Sequence, residues 1–461
     1  MRYISTRREP APQDFADVLL AGLAADGGLF MPEAWPPILE DDLARFAHAS
    51  YSEVALEILS RFAGGSFSRE ELRADIEATY AGFDDLVIAP LSEIDRNLYL
   101  LELFHGPTLA FKDIAMQVLG RLFARALKQR GARATIVAAT SGDTGSAAIA
   151  AFGGLPDIQL FVLHPKGRVS EVQRRQMPTA TQANVHNIAL EGSFDDAQAI
   201  VKALFADESF AKATHLSAVN SINFARIAAQ SVYYFTTAAK LGAAPVFVGP
   251  TGIFGDVFAC ESAMRMGLPV ERLVVATNAN DILARALNDG VYAPAEAQAT
   301  LSPSMDIQVA SNFERALFEA SGRDGEWLRM AMMEFSRERR LVLPAHVLAA
   351  LRARYAACRC DDAETLETIA RVYRQTGRLI DPHTAVGVAA ASRFAEDGSV
   401  RVVLATAHPA KFPDAVKRAT GSAPPLPPRL AHLYEGVERV TVLPNDGAEI
   451  RAFIEDRRPR S

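Results

Sequence analysis

The chain has 461 residues, 48 of them basic and 55 acidic, giving a net charge of −7 with 49% hydrophobic residues. That length exceeds what one core comfortably fills, so two or three domains are expected, and the absence of a basic stripe argues against nucleic acid as a partner. Three cysteines, Cys260, Cys358 and Cys360, are too few for a disulfide framework; with no apolar leader in residues 1–7 and no stretch of membrane-spanning length, a cytoplasmic protein without a membrane partner is expected.

In chain order, the first hundred residues read as helix-rich, with amphipathic spacing over 14–24 and 42–62. Lys112 follows, in the run Phe104-His105-Gly106-Pro107-Thr108-Leu109-Ala110-Phe111-Lys112-Asp113. An ammonium beside Leu109, Ala110 and Phe111 is desolvated, which disfavours its charged form and leaves an amine able to attack an aldehyde and hold it as a Schiff base. Pyridoxal phosphate lysines work in this way. A lone lysine would equally suit a helix start with its stem on the core and its head in water, so the reading depends on what else the chain carries.

Two segments supply that context. Residues 134–139 form a strand-like run, Thr140-Ser141-Gly142-Asp143-Thr144-Gly145 a turn, and 146–150 the opening of a helix. The second unit runs from the strand at 246–248 through Gly252-Ile253-Phe254-Gly255-Asp256 into an apolar helix stopping at Gly267. Such turns aim backbone N–H groups and hydroxyls at an anion. Neither is a dinucleotide fingerprint, and no GxxxxGK[ST] phosphate loop occurs. Further strand signals at 159–163, 185–190, 273–276 and 402–405, with helices between them, argue for an α/β protein with parallel sheets covered on both faces. The proline-rich stretch 423–429 reads as a stiff crossover to a last strand at 439–443. The Cys358-Arg359-Cys360 spacing has no partner pair and the nine histidines show no HExxH, so no metal site is expected.

Taken together, residues 104–113, 140–145, 219–226, 304–308, 311–315, 381–385 and 405–413 resemble the threonine synthase family, in the family's order and over nearly the whole chain. The resemblance implies a fold-type-II pyridoxal phosphate enzyme with two parallel-sheet α/β domains and a helix-rich N-terminal domain. Its expected divisions are 1–100 for the N-terminal domain, 101–129 with 201–430 for a large cofactor-binding domain, 130–200 for a small mobile domain and 431–461 for a C-terminal segment. The implied reaction converts O-phospho-L-homoserine and water into L-threonine and phosphate, in a monomer or a homodimer. By the same resemblance Lys112 holds the cofactor and then acts as acid and base. Asp143 faces the ring hydroxyl, Gly252, Ile253, Phe254, Gly255 and Asp256 cradle the cofactor phosphate, and Thr406 meets the pyridine nitrogen. Ser141 and Thr144 would bind the substrate carboxylate and Arg226 its phosphate, where a guanidinium fork suits two-point contact. Asn312 and Arg315 either touch substrate or brace the site. His383 and His408 are expected to pack or hydrogen-bond near it.

Two other activities share parts of this pattern. A serine or threonine dehydratase has the same fold without needing Arg226, and a non-catalytic relative would bind a phosphorylated ligand. One departure from the family bears on the second: Ile253 stands where asparagine is usual. If that position has positive φ, a β-branched residue there is strained by about 1–3 kcal/mol. Cys260, where the family commonly has glycine, is expected inside a buried helix.

Overall fold

Two parallel sheets organise the chain. In the computed structural model the described residues are 1–7, 11–140, 142–167, 171–177, 181–394, 398–434 and 436–458. The larger sheet has six strands in the order Tyr355–Arg359, Arg272–Thr277, Val246–Pro250, Arg401–Ala405, Leu98–Glu102 and Leu91–Asp95, all parallel except the last hairpin. Alternate residues of its strands enter two different cores. Phe247, Leu273, Val275, Val402 and Leu404 face one cluster, whereas Val246, Val248, Val274, Ala276, Val403 and Ala405 face the other. This two-sided burial explains why those strands read as continuous apolar runs.

The second sheet is wholly parallel, in the order Thr441–Pro444, Val185–Glu191, Ile158–Pro165, Ala134–Ala139 and Leu216–Ser217. Its strands also divide between two cores: Val137, Phe161, Leu163, Ile188 and Leu190 pack with Ile450 and Ile454, the buried residues of the Gly447–Arg457 helix. The sheet therefore reaches beyond the expected 130–200 unit in both directions. Residues 201–217 and the C-terminal strand complete it, because parallel pairing satisfies their backbone groups there. The expected 1–100 division is likewise crossed by the sheet, since Leu91–Asp95 pairs with Leu98–Glu102.

Helices dominate the first ninety residues, but the amphipathic stretch at 42–62 is two helices, Glu40–Phe46 and Tyr51–Ala63. Ser50 separates them with a reciprocal cap, its hydroxyl accepting from Glu53 N at 3.3 Å while Glu53 accepts from Ser50 N at 2.8 Å. The hairpin at 91–102 and the strand at 355–359 were not legible from periodicity, and the last strand is Thr441–Pro444. The apolar helix of the second unit is Gly255–Arg265, followed by Gly267 at φ +115°, and Cys260 is buried within it. Three strands end at the turns singled out in the sequence: Ala134–Ala139 before Thr140, Val246–Pro250 before Thr251, and Arg401–Ala405 before Thr406. Ligands of such sheets bind outside the carboxyl ends of the strands, where these turns meet.

Candidate active site

Lys112 opens the Lys112–Arg130 helix after a loop that its neighbour Asp113 closes, accepting from Thr108 N at 2.7 Å and Thr108 Oγ1 at 2.8 Å. Gly106 is required by that closure, because a Cβ there would overlap the Asp113 side chain. Phe111 N donates to Thr406 O at 2.8 Å, so a backbone bridge ties the lysine segment to the end of the Arg401–Ala405 strand. The Lys112 amine lies 4.9 Å from the Phe111 ring centre and 3.4 Å from Asp143 Oδ2. Burial pushes the amine below the ordinary lysine range; Asp143 opposes that shift, while the Lys411 and Arg226 charges add to it.

Asp143 begins the Asp143–Phe152 helix and is itself buried. Lys411 Nζ reaches its Oδ1 at 2.7 Å and Ser304 Oγ its Oδ2 at 3.1 Å. The turn before it is stitched by Thr140 Oγ1, which accepts from Gly142 N and Gly145 N, each at 2.9 Å. Gly142 has φ +138°, a conformation that side chains avoid. Thr144 lines the same cavity. Ser141 lies outside the described residues.

In the loop from Thr251 to Asp256, Thr251 is the organiser: its hydroxyl donates to Asp256 Oδ1 at 2.6 Å and accepts from Phe254 N at 3.1 Å. The left-handed residue is Phe254, at φ +70°, and Ile253 is not among the positive-φ residues. The expected strain at Ile253 is therefore absent. Phe254 bears it instead, with its ring buried against Phe313 and Tyr355 at 5.4 and 5.3 Å between centres, leaving its backbone to the loop. Gly252 is packed so closely that a Cβ would lie 2.9 Å from Ile307 Cγ1 and 3.0 Å from Met305 Cα.

Asn312 packs against this loop. Its backbone N donates to Ile253 O at 3.1 Å, and its buried Nδ2 has no hydrogen-bond partner among the described residues. A Cβ on Gly255 would sit 3.3 Å from that Nδ2, so the amide lies against the start of the Gly255–Arg265 helix. Arg315 orients Asn312 by binding its Oδ1, and reaches Phe30 O at 3.2 Å and Ile222 O at 2.6 Å. Arg315 is fully buried and bound to these groups, which makes it a brace.

Arg226 projects from the Phe224–Leu241 helix, which Asn223 caps by accepting from Ala225 N at 3.1 Å. Only 2% of Arg226 is exposed, its Nε has no partner, and burial pushes the guanidinium down to about 10 against the opposing influence of Tyr233 and Asp256. A buried cation in this state is expensive unless an anion joins it. Gln230, one turn further along the helix, lines the same cavity.

Most of these groups surround one cavity with about 590 Å³ of empty volume, part of it open to solvent. Lys112, Asp143, Thr144, Arg226, Gly252, Ile253, Gly255, Asp256 and Thr406 all line it, whereas Phe254 does not. Of the lining, sequence reasoning missed Ser221, Gln230, Thr251 and Ser304, and beside it Lys411, which pairs with Asp143. Gln230 could have been found from its i+4 spacing to Arg226. His383, as expected, hydrogen-bonds at the site: its Nε2 accepts from Ser304 N at 3.2 Å, and its Nδ1 is 2.8 Å from Asp381 Oδ1. A buried amine, a helix N-terminus with the Asn312 amide beside it and a buried guanidinium that makes no ion pair among the described residues fit an aldehyde-bearing phosphate cofactor and a second anion.

Comparison with known proteins gives the same combination. Residues 2–80 match the model described as threonine synthase N terminus, 87–359 that of pyridoxal-phosphate dependent enzymes, and 384–454 that of the threonine synthase C-terminal region. The threonine synthase of Pseudomonas aeruginosa is 50% identical over 98% of each chain, and that of Eremothecium gossypii is 42% identical over 98% of this chain and 97% of its own. A crystal structure of pyridoxal-phosphate-bound threonine synthase from Brucella melitensis superposes with a TM-score of 0.96 at 48% identity, covering all of both chains.

Proposed function

The chain belongs to the threonine synthase family of pyridoxal-phosphate-dependent enzymes, and on that premise we propose how its own residues turn O-phospho-L-homoserine and water into L-threonine and phosphate. The observation that carries the proposal is the pairing, in one cavity, of a desolvated lysine with a buried arginine that makes no ion pair among the described residues.

Lys112 would hold the cofactor, with Asp143 toward its ring hydroxyl, the loop from Gly252 to Asp256 around its phosphate and Thr406 toward its pyridine nitrogen. Bound there, pyridoxal phosphate supplies a ring that spreads negative charge from the substrate's α-carbon. The Lys112 amine, whose charged form burial disfavours, removes a proton at that carbon, and a second proton leaves the β-carbon as phosphate departs from the γ-carbon. The lysine returns a proton at the γ-carbon, and water adds its hydroxyl at the β-carbon while a proton is restored at the α-carbon. Arg226 grips the substrate phosphate with its fork and stabilises the charge that develops as phosphate leaves. Thr144 and the N-terminus of the Asp143–Phe152 helix meet the substrate carboxylate, and Ser141 joins them by its place in the same turn. Asn312 adds its amide to the cofactor-phosphate cradle, which offsets the missing side-chain amide at Ile253.

The unit built on the five-stranded sheet carries Asp143 and Thr144, and its closure onto the larger sheet would exclude bulk water until phosphate has left. A cytoplasmic setting and a monomer or homodimer belong to the same reading; three free cysteines suit a reducing compartment. Purified protein with added pyridoxal phosphate should form threonine and phosphate from O-phospho-L-homoserine in equal amounts. Ammonia and a keto acid from serine or threonine, without that reaction, would favour the dehydratase; cofactor binding with neither activity would favour a ligand-binding relative.

A further inference from the structure

A second lysine that the roles above do not use reaches Asp143, a residue of the cavity lining. Lys411 is fully buried, in a turn at Pro409–Lys411 whose start is fixed by His408, with Nδ1 accepting from Ala410 N at 3.1 Å and its carbonyl accepting from Lys411 N at 3.0 Å. Burial pushes His408 down to about 4, so its ring is a neutral acceptor near neutral pH. From this turn the Lys411 amine spans two chain segments, reaching Asp143 Oδ1 at 2.7 Å and Thr108 O at 2.8 Å. Lys112 lies on the other oxygen of the same carboxylate at the longer distance of 3.4 Å.

This geometry resolves a conflict. Asp143 is buried, and a buried carboxylate needs a cation close by. Lys112 cannot serve both as that cation and as a nucleophile, because only the unprotonated amine attacks an aldehyde. We infer that Lys411 is the standing counter-ion of Asp143, a positioning residue that releases Lys112 from the ion pair so that its amine is free to react with the cofactor. The other charged groups around Asp143 and the two lysines are consistent with this division. Arg226 from the Phe224–Leu241 helix adds positive charge that disfavours a protonated Lys112, Asp256 of the Gly255–Arg265 helix interacts with Lys112, and Asp113 interacts with Lys411. Ser304, held by His383, gives Asp143 Oδ2 a neutral donor.

The inference rests on Lys112 being the cofactor lysine, and the test separates the two ideas. Apoenzyme is mixed with pyridoxal phosphate across a range of pH, and the rate at which the protein-bound visible band appears is followed. In the unaltered protein the rate should rise with pH and level off, the midpoint reporting the Lys112 amine. In Lys411→Met the midpoint should move up by at least one pH unit, so that loading below it slows about tenfold or more. Asp143→Asn combined with Lys411→Met should bring the midpoint back toward that of the unaltered protein, since carboxylate and counter-ion are removed together. Loading slowed equally at every pH, with the midpoint in place, would mean that Lys411 only supports the fold and would overturn the inference. Should Lys411→Met fail to fold, Lys411→Gln, which keeps a donor for the Thr108 carbonyl, takes its place with the same expected shift. Lys112→Ala is run alongside and should form no band. A band there would sink the cofactor-lysine assignment, whereas its absence with an unmoved Lys411→Met midpoint would sink the counter-ion role alone.

Discussion

Replacing Arg226 by methionine should move activity and stability in opposite directions. The guanidinium is 2% exposed, its Nε is unpartnered, and burial pushes it down to about 10, a penalty on the order of 3 kcal/mol against an ordinary guanidinium. Methionine fills similar space without a charge, so part of that penalty should return to the ligand-free protein. With an unfolding entropy of roughly 2 cal/mol/K per residue, the full amount would raise Tm by about 3 °C at most in a chain of 461 residues. The substrate side loses two charge-assisted hydrogen bonds, each worth about 1.5–3 kcal/mol, which corresponds to about a hundredfold or greater rise in KM for O-phospho-L-homoserine. Differential scanning calorimetry of the ligand-free protein, initial rates of phosphate release and a cofactor titration read the three quantities. The reasoning predicts a higher or unchanged Tm, a large rise in KM and cofactor affinity within about threefold of the unaltered value. A clear fall in Tm with KM nearly unchanged would refute it, and would make Arg226 a structural partner of Asp256 rather than an anion receptor.

Ile253→Asn should leave cofactor affinity within about threefold, because position 253 has no positive φ to relieve and the Asn312 amide already lies beside Gly255; a tenfold gain in a pyridoxal phosphate titration would show that the loop needs its own side-chain amide. Gly252→Ala should destabilise the cradle by about 1–3 kcal/mol and weaken cofactor binding, since the added Cβ would sit 2.9 Å from Ile307 Cγ1 and 3.0 Å from Met305 Cα; unchanged affinity in the same titration would contradict that packing. His408 is pushed down from 6.5 to about 4 by burial, so its stabilising contribution is complete above pH 6.5 and is lost as pH falls toward 4. Urea unfolding across that window should show His408→Gln with a shallower acid slope than the unaltered protein, and parallel slopes would count against the shift.

Periodicity and local chemistry made much of the fold legible. The six strand signals at 135–138, 159–163, 185–190, 246–248, 273–276 and 402–405 all fall within observed strands, because most of their residues are buried and apolar on both faces. The elements that escaped were those whose burial is weaker or whose boundary is a cap. The edge strand Leu91–Asp95 is half-exposed and carries polar residues, and Ser50 interrupts an apolar spacing that otherwise continues. Within the site, residues that announce their chemistry locally were found: Lys112 by its apolar neighbours, and Gly252 and Gly255 by their turn. Lys411 escaped because nothing in its own segment shows that a carboxylate 268 positions earlier would lie 2.7 Å from its amine.

The amino-acid order by itself carried the resemblance to the threonine synthase family, and with it the reaction class, and marked Lys112 and two glycine-rich turns as candidates, since those short stretches show their chemistry in adjacent residues. Tertiary structure alone decided how charge is shared. It placed Lys112 and Lys411 on opposite oxygens of Asp143, buried Arg226 with no ion pair among the described residues, moved the backbone strain from Ile253 to Phe254 and set the Asn312 amide beside Gly255. The physical reason is that desolvation and ion pairing depend on distances between segments far apart in the chain, which only the packing of the two sheets brings within reach.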